Sequence, residues 1–474
     1  MSIVKNKVFR DSKNGGQLIS VSEQVKAIID TPPMQRLGGI KQMGVAHAVF
    51  RGATHTRLSH SIGVFGIAQH IFRQLRERSN QYEAMSTAVI GMDTEDENDF
   101  LVATLLHDVG HAPYSHALEY VLRPEGVQDH EDCGIRIINE NKPIRDAVAN
   151  VADIEAVVSY LRKLHPNRAL STLVSGEFDC DRIDYLVRDS ENCGVKYGLY
   201  DLEWLAHSLT IRWAGHKPSL VLDVPRGFEA LKVFLTARRN MYKQVYYHHT
   251  IRAIEVNLRA IFRRIRDLRK EGKGEAEIPQ IFGFLKRESG RPNLSEFLEI
   301  DDSIISYLIS HLSKFANDET LRVLCQMFVL RDTLSCIFDS TRPFYKYPEY
   351  YRTGRLFLDD SEPQRSLFGD IPALSSIIAE LRAECAKHLV RKRLPEDLSR
   401  YIVTRDRPPA VVFGLPPDFL CEIGRRVIPL KDAEREFQLG TSLMTPEQFT
   451  IDRIYVPRMF EDDLAQTLYG ERHA

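Results

Sequence analysis

The chain has 474 residues, enough to bury a large core divided among two or three parts. Hydrophobic residues make up 43% and charged residues 27%, the balance of a globular protein rather than a disordered or fibrous one. A net charge of −2 and a pI near 6.8 exclude a general pull toward nucleic acid or anionic membrane, so any polyanion site must be local. The seven cysteines are scattered and form no C-x-x-C, which fits reduced thiols and argues against a structural zinc knot. The N-terminal MSIVKNKVFRDSKNGG has no apolar signal-like core, and no apolar run is long enough to span a bilayer. The expectation is a cytoplasmic protein with no membrane partner.

Taken in order, KVFRD and QLISV around Asn14-Gly15-Gly16 read as a hairpin over residues 7–19. A helix follows, with Ser20 and Glu23 as a capping box and Val25, Ile28 and Ile29 as its apolar face, and Pro32-Pro33 ends it. Residues 34–43 read as a second short helix weakened by Gly38-Gly39. A polar connector, RGATHT, leads into a long helix over 57–77 whose buried side carries Leu58, Ile62, Phe65, Ile71, Phe72 and Leu75. His60 belongs to the first turn of that helix, and residues 80–98, polar and acidic, read as a surface loop.

The stretch from Leu101 to Glu119, LVATLLHDVGHAPYSHALE, begins apolar and ends as a cluster of ionisable groups. Residues 99–106 are too apolar for a surface helix, so they predict a buried one that presents His107 and Asp108 at its C-terminal end. Gly110 and Pro113 stop it, and Ser115 caps a new turn carrying His116 and Glu119 at i, i+3. A lone histidine at a helix end is most often an ordinary satisfied one. One imidazole and one carboxylate delivered by a rigid buried element suit a divalent metal, and four ionisable side chains within so short a stretch favour that reading.

Beyond it, Asp129-His130-Glu131 starts a helix, and residues 144–163 look helical and amphipathic. In GEFDCDRIDYLVRD (176–189), Ile183, Leu186 and Val187 face the core, while Asp181, Asp184 and Arg188 share a neighbouring face. A hairpin around Ala214-Gly215 spans 209–224, and residues 226–270 form one very long helical pattern, about 65 Å if unbroken. Residues 280–337 and 374–395 continue helical, separated by the loop FYKYPEYYRTG, and a small α+β region follows 396. The fold class is therefore mainly α, with a few short β-hairpins and a small α+β C-terminal region.

His60, His107-Asp108 and Asp181 stand in the order of an HD-domain metal site, and the sequence around them resembles the HD-domain deoxynucleoside triphosphate triphosphohydrolases, the bacterial dGTPases and the vertebrate HD-domain dNTPase. The resemblance spans residues 7 to about 260 and rests on DTPPMQRLGGIKQMG, FRGATHTRLSHSIGV, LLHDVGHAPYSHALE, HE at 130–131 and FDCDRIDYLVRDSENCGV. It implies an HD catalytic domain over 1–270, a helical region over 271–395 and a C-terminal domain over 396–474. It implies a divalent ion (Mn, Fe, Zn, Ni or Mg) on His60, His107, Asp108 and Asp181, and a dNTP split into deoxynucleoside and inorganic triphosphate. His116 held by Glu119 matches the proton donor, and His111, His130 and Glu131 match further catalytic positions. Arg57, Arg182, Arg238 and Lys243 match phosphate contacts, Gln42, Tyr185 and Asp189 the readers of the sugar, and Tyr246 the residue beside the base. The family also implies a homo-oligomer with a nucleotide activator at the subunit interface, to which Asp30 and Gln35 contribute. Gly38 stands where the vertebrate enzyme has a guanine-reading arginine, and Tyr247 and His249 replace its polar residues near the base.

Three other readings compete: a metal-dependent nuclease or phosphodiesterase on single-stranded nucleic acid, with the basic run 387–393 as its support; an alarmone hydrolase; and a nucleotide-sensing scaffold with a relic site. The intact set of four ligand positions argues against the last.

Overall fold

The computed structural model describes residues 6–11, 18–80, 92–176, 178–214, 217–273, 278–341, 372–416, 418–424, 426–437 and 447–469. It is mainly helical and falls into two compact units: Met1–Tyr246 with Arg291–Ser303 and Val412–Glu447, and Tyr247–Gly290 with Ile304–Val411 and Gln448–Ala474. Elements of the 396–474 segment are thus shared between both units.

In the first unit the strands Lys7–Arg10 and Leu18–Val21 pair antiparallel, Lys7 opposite Val21; their Asn14-Gly15-Gly16 turn lies outside the described residues. The central helix, Arg57–Asn80, buries Phe65, Ile71, Phe72 and Leu75 and packs against the helices Thr94–Leu106 and Cys180–Cys193. Thr94–Leu106 is capped by Asp93, whose carboxylate accepts from the backbone N–H of Asp96 while the Asp96 side chain returns the bond. Its residues Phe100 to Leu106 are all buried. The acidic 94–98 segment, read from sequence as loop, is therefore the first turn of this helix, where carboxylates suit the positive end of the helix dipole. Residues 81–91 of that expected loop lie outside the described residues.

Three further readings are corrected in the first unit. Ser22, not Ser20, caps Glu23–Ile29 and accepts from Val25 N, because Ser20 is still paired in the strand. Pro32-Pro33 opens the next helix, Pro32–Arg36, rather than closing the previous one; proline at the first helical position loses no hydrogen bond. The 144–163 pattern is two helices, Lys142–Ala149 and Ile154–Leu161, each restarted by its own cap, Asn141 and Asp153. The hairpin Leu209–Ala214 and Lys217–Asp223 forms as expected and is extended by Leu420–Ile423, parallel to the second strand, and by Arg426–Pro429; its 215–216 turn lies outside the described residues.

The long helix expected over 226–270 is interrupted. Val224–Met241 runs into a π-helical turn, Tyr242–Tyr246, and a new helix, His249–Lys270, begins after His248. That second helix belongs to the other unit, where it packs on Glu319–Leu330 and forms the part-buried pair Arg264–Asp318, at 2.9 and 2.6 Å. Ser335–Asp339, inside a segment read as helical, is an edge strand of a three-stranded sheet with Arg453–Val456 at its centre and Thr404–Asp406 on the far side. The loop FYKYPEYYRTG lies outside the described residues.

Candidate metal centre

Three helix ends deliver the site. Arg57–Asn80 contributes His60 from its first turn, Thr94–Leu106 ends on His107 and Asp108, and Cys180–Cys193 contributes Asp181 from its first turn. Their donor atoms converge. His60 Nε2 lies 3.3 Å from His107 Nε2, 3.0 Å from Asp181 Oδ1 and 3.7 Å from Asp108 Oδ2, and His107 Nε2 lies 3.4 Å from Asp108 Oδ1. Ligand atoms held about 2.1 Å from one ion at right angles stand about 3 Å apart, so this spacing fits a divalent cation.

The second nitrogen of each imidazole is occupied. His107 Nδ1 donates to the Thr104 carbonyl at 2.8 Å, and His60 Nδ1 donates to Asp184 Oδ2 at 2.9 Å. Both bonds fix the tautomer that leaves Nε2 free as a metal donor. Behind His60 the support is continuous. Arg188 donates to both oxygens of Asp184, at 2.6 and 3.0 Å, and to both oxygens of Asp11, at 2.8 and 2.7 Å, with all three side chains buried. Gly63 makes room for this pair, since a Cβ there would run into Arg188 Nη2 and Asp184 Oδ1.

Electrostatics points the same way. Burial alone would lower the His60 imidazole, but hydrogen bonds to Asp181 and Asp184 outweigh it and push it up to about 10. His107 is raised against its burial by Asp108 and Asp181, and Asp181 is held below the carboxylate range by the two imidazoles despite its own burial. A concentration of carboxylate charge that draws protons onto histidine is equally a site for a cation. The two imidazoles and two carboxylates suit Mn, Fe, Zn or Ni, and Mg less well.

The centre opens into a cavity of about 550 Å³, within the range of small-ligand pockets. Next to it, Tyr114 and Ser115 adopt left-handed backbone, φ 56° and 53°, a strained pair anchored by the bond from Tyr114 N to Asp302 Oδ1 at 2.8 Å. That turn sets His116 into the cavity wall. One carboxylate then holds two imidazoles: Glu119 Oε2 meets His116 Nδ1 and Glu119 Oε1 meets His130 Nδ1, each at 2.9 Å. Glu119 is held below the carboxylate range by these bonds although burial opposes them, and His130 is raised by Glu119 against its burial. His111 stacks on His130 with ring centres 3.9 Å apart, lies 3.2 Å from Asp108, and is pushed well below its ordinary value by burial and by Arg57.

The remaining expected residues divide. Gln42, Arg57, Glu131, Arg182 and Tyr185 line the cavity with the histidines. Arg57 is bonded to Asp108 at 2.5 Å and to Ser115, Arg182 is turned to Asp179 and the Gly176 carbonyl, and Glu131 faces Lys163 at 3.4 Å. Asp189 and Tyr246 form a second rank: the Tyr246 hydroxyl donates to Asp189 Oδ2 at 2.9 Å, and its ring meets Tyr185 edge-on at 5.9 Å. Arg238 is buried and its charge reaches Tyr185, whereas Lys243 sits beside Arg239 and Glu447. Neither is among the cavity-lining residues described.

Four residues escaped the sequence reading of the site. His55 Nε2 bonds Asp189 Oδ1 at 2.7 Å, opposite Tyr246, and its only sequence signal is its place two residues before Arg57. Asp184, Arg188 and Asp11 form the support behind His60; helical spacing put the first two on one face, but nothing in the sequence ties them to Asp11. Gln42 Oε1, His111 Nδ1 and His55 Nδ1 are buried and meet no hydrogen-bond partner among the described residues. Buried polar atoms left in this state mark places where a ligand completes the network.

Residues 57–189 match the HD domain family, and an HD domain with a His/Asp cluster able to hold a metal implies a metal-dependent phosphohydrolase. Similar proteins include YwfO of Bacillus subtilis, 29% identical over 356 residues, covering 74% of this chain and 76% of that one. The deoxynucleoside triphosphate triphosphohydrolase SAMHD1 of Gallus gallus is 26% identical over 289 residues, 54% of this chain and 45% of that one. Among solved structures, a phosphohydrolase from Bacteroides thetaiotaomicron matches with a TM-score of 0.72 at 25% identity, over 96% of this chain and 100% of that one. No helix among the described residues is long and apolar enough to cross a membrane.

Proposed function

We propose that the protein hydrolyses deoxynucleoside triphosphates to deoxynucleoside and inorganic triphosphate. The observation that carries this reading is the cavity itself. It joins the metal donors and the His116–Glu119 pair to a polar wall of Gln42 and Tyr185, backed by His55, Asp189 and Tyr246. Relatives that include triphosphohydrolases support the same substrate class.

His60, His107, Asp108 and Asp181 would hold the divalent ion, which supplies orientation of a phosphate and activation of water. Hydrolysis exchanges the α-phosphorus bond to the 5′-oxygen for a bond to a water-derived oxygen, and the departing 5′-oxygen needs a proton. His116 meets that need, because Glu119 occupies its Nδ1 and leaves Nε2 to serve as the acid. His111 and His130 flank it as further catalytic groups, with Glu131 at the cavity rim. Arg57 and Arg182 line the cavity as local cations for the triphosphate, and Arg238 and Lys243, outside its lining, are the further cations of this reading. Gln42, Asp189 and Tyr185 read the sugar, Tyr185 by crowding a 2′-hydroxyl, and Tyr246 lies toward the base. We extend the reading to a homo-oligomer with a nucleotide at its interface near Asp30 and Gln35. Gly38, with no side chain to grip guanine, makes GTP dispensable.

The test is product chromatography after incubating the manganese-loaded protein with each dNTP, each ribonucleotide and a single-stranded oligonucleotide. Deoxynucleoside plus triphosphate is the expected outcome. Pyrophosphate plus monophosphate, or shortened oligonucleotide with intact dNTPs, would move the protein to another reaction class.

A further inference from the structure

The second unit contains a cavity of about 370 Å³ that shares no residue with the metal centre. Four cations line it, Arg263, Lys270, Arg382 and Arg400, with Asp267, Glu271 and Tyr401. Both carboxylates are engaged: Asp267 accepts from the Tyr401 hydroxyl at 2.9 Å, and Glu271 lies 3.3 Å from Lys273. Two of the guanidinium groups are fixed by backbone carbonyls. Arg263 Nη2 donates to Arg400 O at 2.9 Å and its head lies over the Tyr401 ring at 4.9 Å, while Arg382 Nε donates to Val403 O at 3.0 Å. Carbonyl bonds orient a guanidinium without neutralising it. Arg382, half-buried, is lowered first by that burial and then by the charges of Arg263 and Arg400, so the like charges crowd one another.

We propose that this cavity is a binding site for a small anion carrying two or three linked phosphoryl groups. Pre-oriented guanidinium forks match phosphoryl oxygens, and two of them beside two further cations in one cavity suit a chain of phosphates better than a lone anion. Single-stranded nucleic acid fits less well, because it needs open aromatic faces for its bases, and the one ring here is covered by Arg263. None of the basic run 387–393 is among the residues lining this cavity, and its Lys387 is paired with Glu384 at 2.8 Å. The site is independent of the substrate reading given above.

Calorimetric titration of the chelator-treated full chain with inorganic triphosphate tests it. The wild-type isotherm should contain a component that Arg400→Gln and Lys270→Gln weaken by about tenfold each, the loss expected for one charge-assisted contact. Both residues are exposed, so these variants keep the fold even where the partly buried Arg382→Gln does not. Metal content and dNTP turnover should stay at wild-type values in both. Isotherms of both variants that coincide with the wild type's would overturn the site. So would tight, Arg400-dependent binding of a single-stranded oligonucleotide by a protein indifferent to triphosphate.

Discussion

The first unit contains two histidine clusters built from the same residue types and set at different ring geometries. In one, His60 and His107 meet edge to face, ring centres 5.2 Å apart and planes at 76°. Each is tied through Nδ1 to the protein, so their Nε2 lone pairs converge beside Asp108 and Asp181. In the other, His111 and His130 lie nearly parallel, at 17°, and His116 and His130 spend their Nδ1 atoms on one carboxylate. An imidazole lone pair lies in the ring plane, so stacked rings do not aim at one point. In the proposed reading the second cluster serves proton transfer around a carboxylate and the first holds a cation, although the ligand atoms of His111, His116, Glu119 and His130 also lie within 4.8 Å of one another. The partner of Nδ1 does not separate the clusters, since His60, His116 and His130 all spend that nitrogen on a carboxylate; the setting of the rings does.

The largest expected effect separates the clusters outright. His107→Ala or Asp181→Asn should strip the protein of metal in elemental analysis and leave no detectable hydrolysis. Full metal content in both would show that the converging atoms are not the ligands. His116→Ala should spare metal content and lower kcat by about 10²–10⁴, the range for a lost general acid, with KM little changed. A variant that loses its metal instead would merge the two clusters into one. Asp184→Asn acts a step further out, since it weakens the hold on His60 Nδ1 without touching a donor atom. Metal affinity should fall about 10–100-fold in a competition assay with a chelator.

How much of this the sequence disclosed depended on whether the signal was local. The candidate ligand positions His107 and Asp181 could be read because they sit at helix ends marked by a nearby apolar run or cap: His107 closes 99–106, and Asp181 follows the cap at Asp179. Helix existence was legible for the same reason. Breaks were not. The π turn at Tyr242–Tyr246 falls in a pattern that continues helical on both sides. The Ser335–Asp339 strand is defined by pairing with residues 453–456, more than a hundred positions away. The bonds of Asp11 to Arg188 and of His55 to Asp189 are long-range in the same sense. Periodicity reports which face of a helix is buried and says nothing of what meets it there.

The smallest expected effect concerns Glu119 and separates charge from packing in the second cluster. Its carboxyl is depressed below the ordinary value of 4.5, so it contributes stability above that pH and loses it as pH falls through the folded value. His130 is raised above 6.5, so its contribution is complete below that pH and is lost as pH rises through the folded value. The two contributions overlap between about 4.5 and 6.5, where the carboxylate is charged in both states and the imidazole is charged in both. Glu119→Gln removes the charge while keeping an oxygen for His130 and a similar volume. The difference in Tm between wild type and variant should therefore be widest near pH 5.5 and narrow as the pH is raised past neutrality. An NMR titration of His130 should show its pKa falling in the variant. A Tm difference that stays constant across this range would mean that Glu119 acts on His130 as a neutral acceptor would, and that the second cluster has no charge-coupled proton to offer.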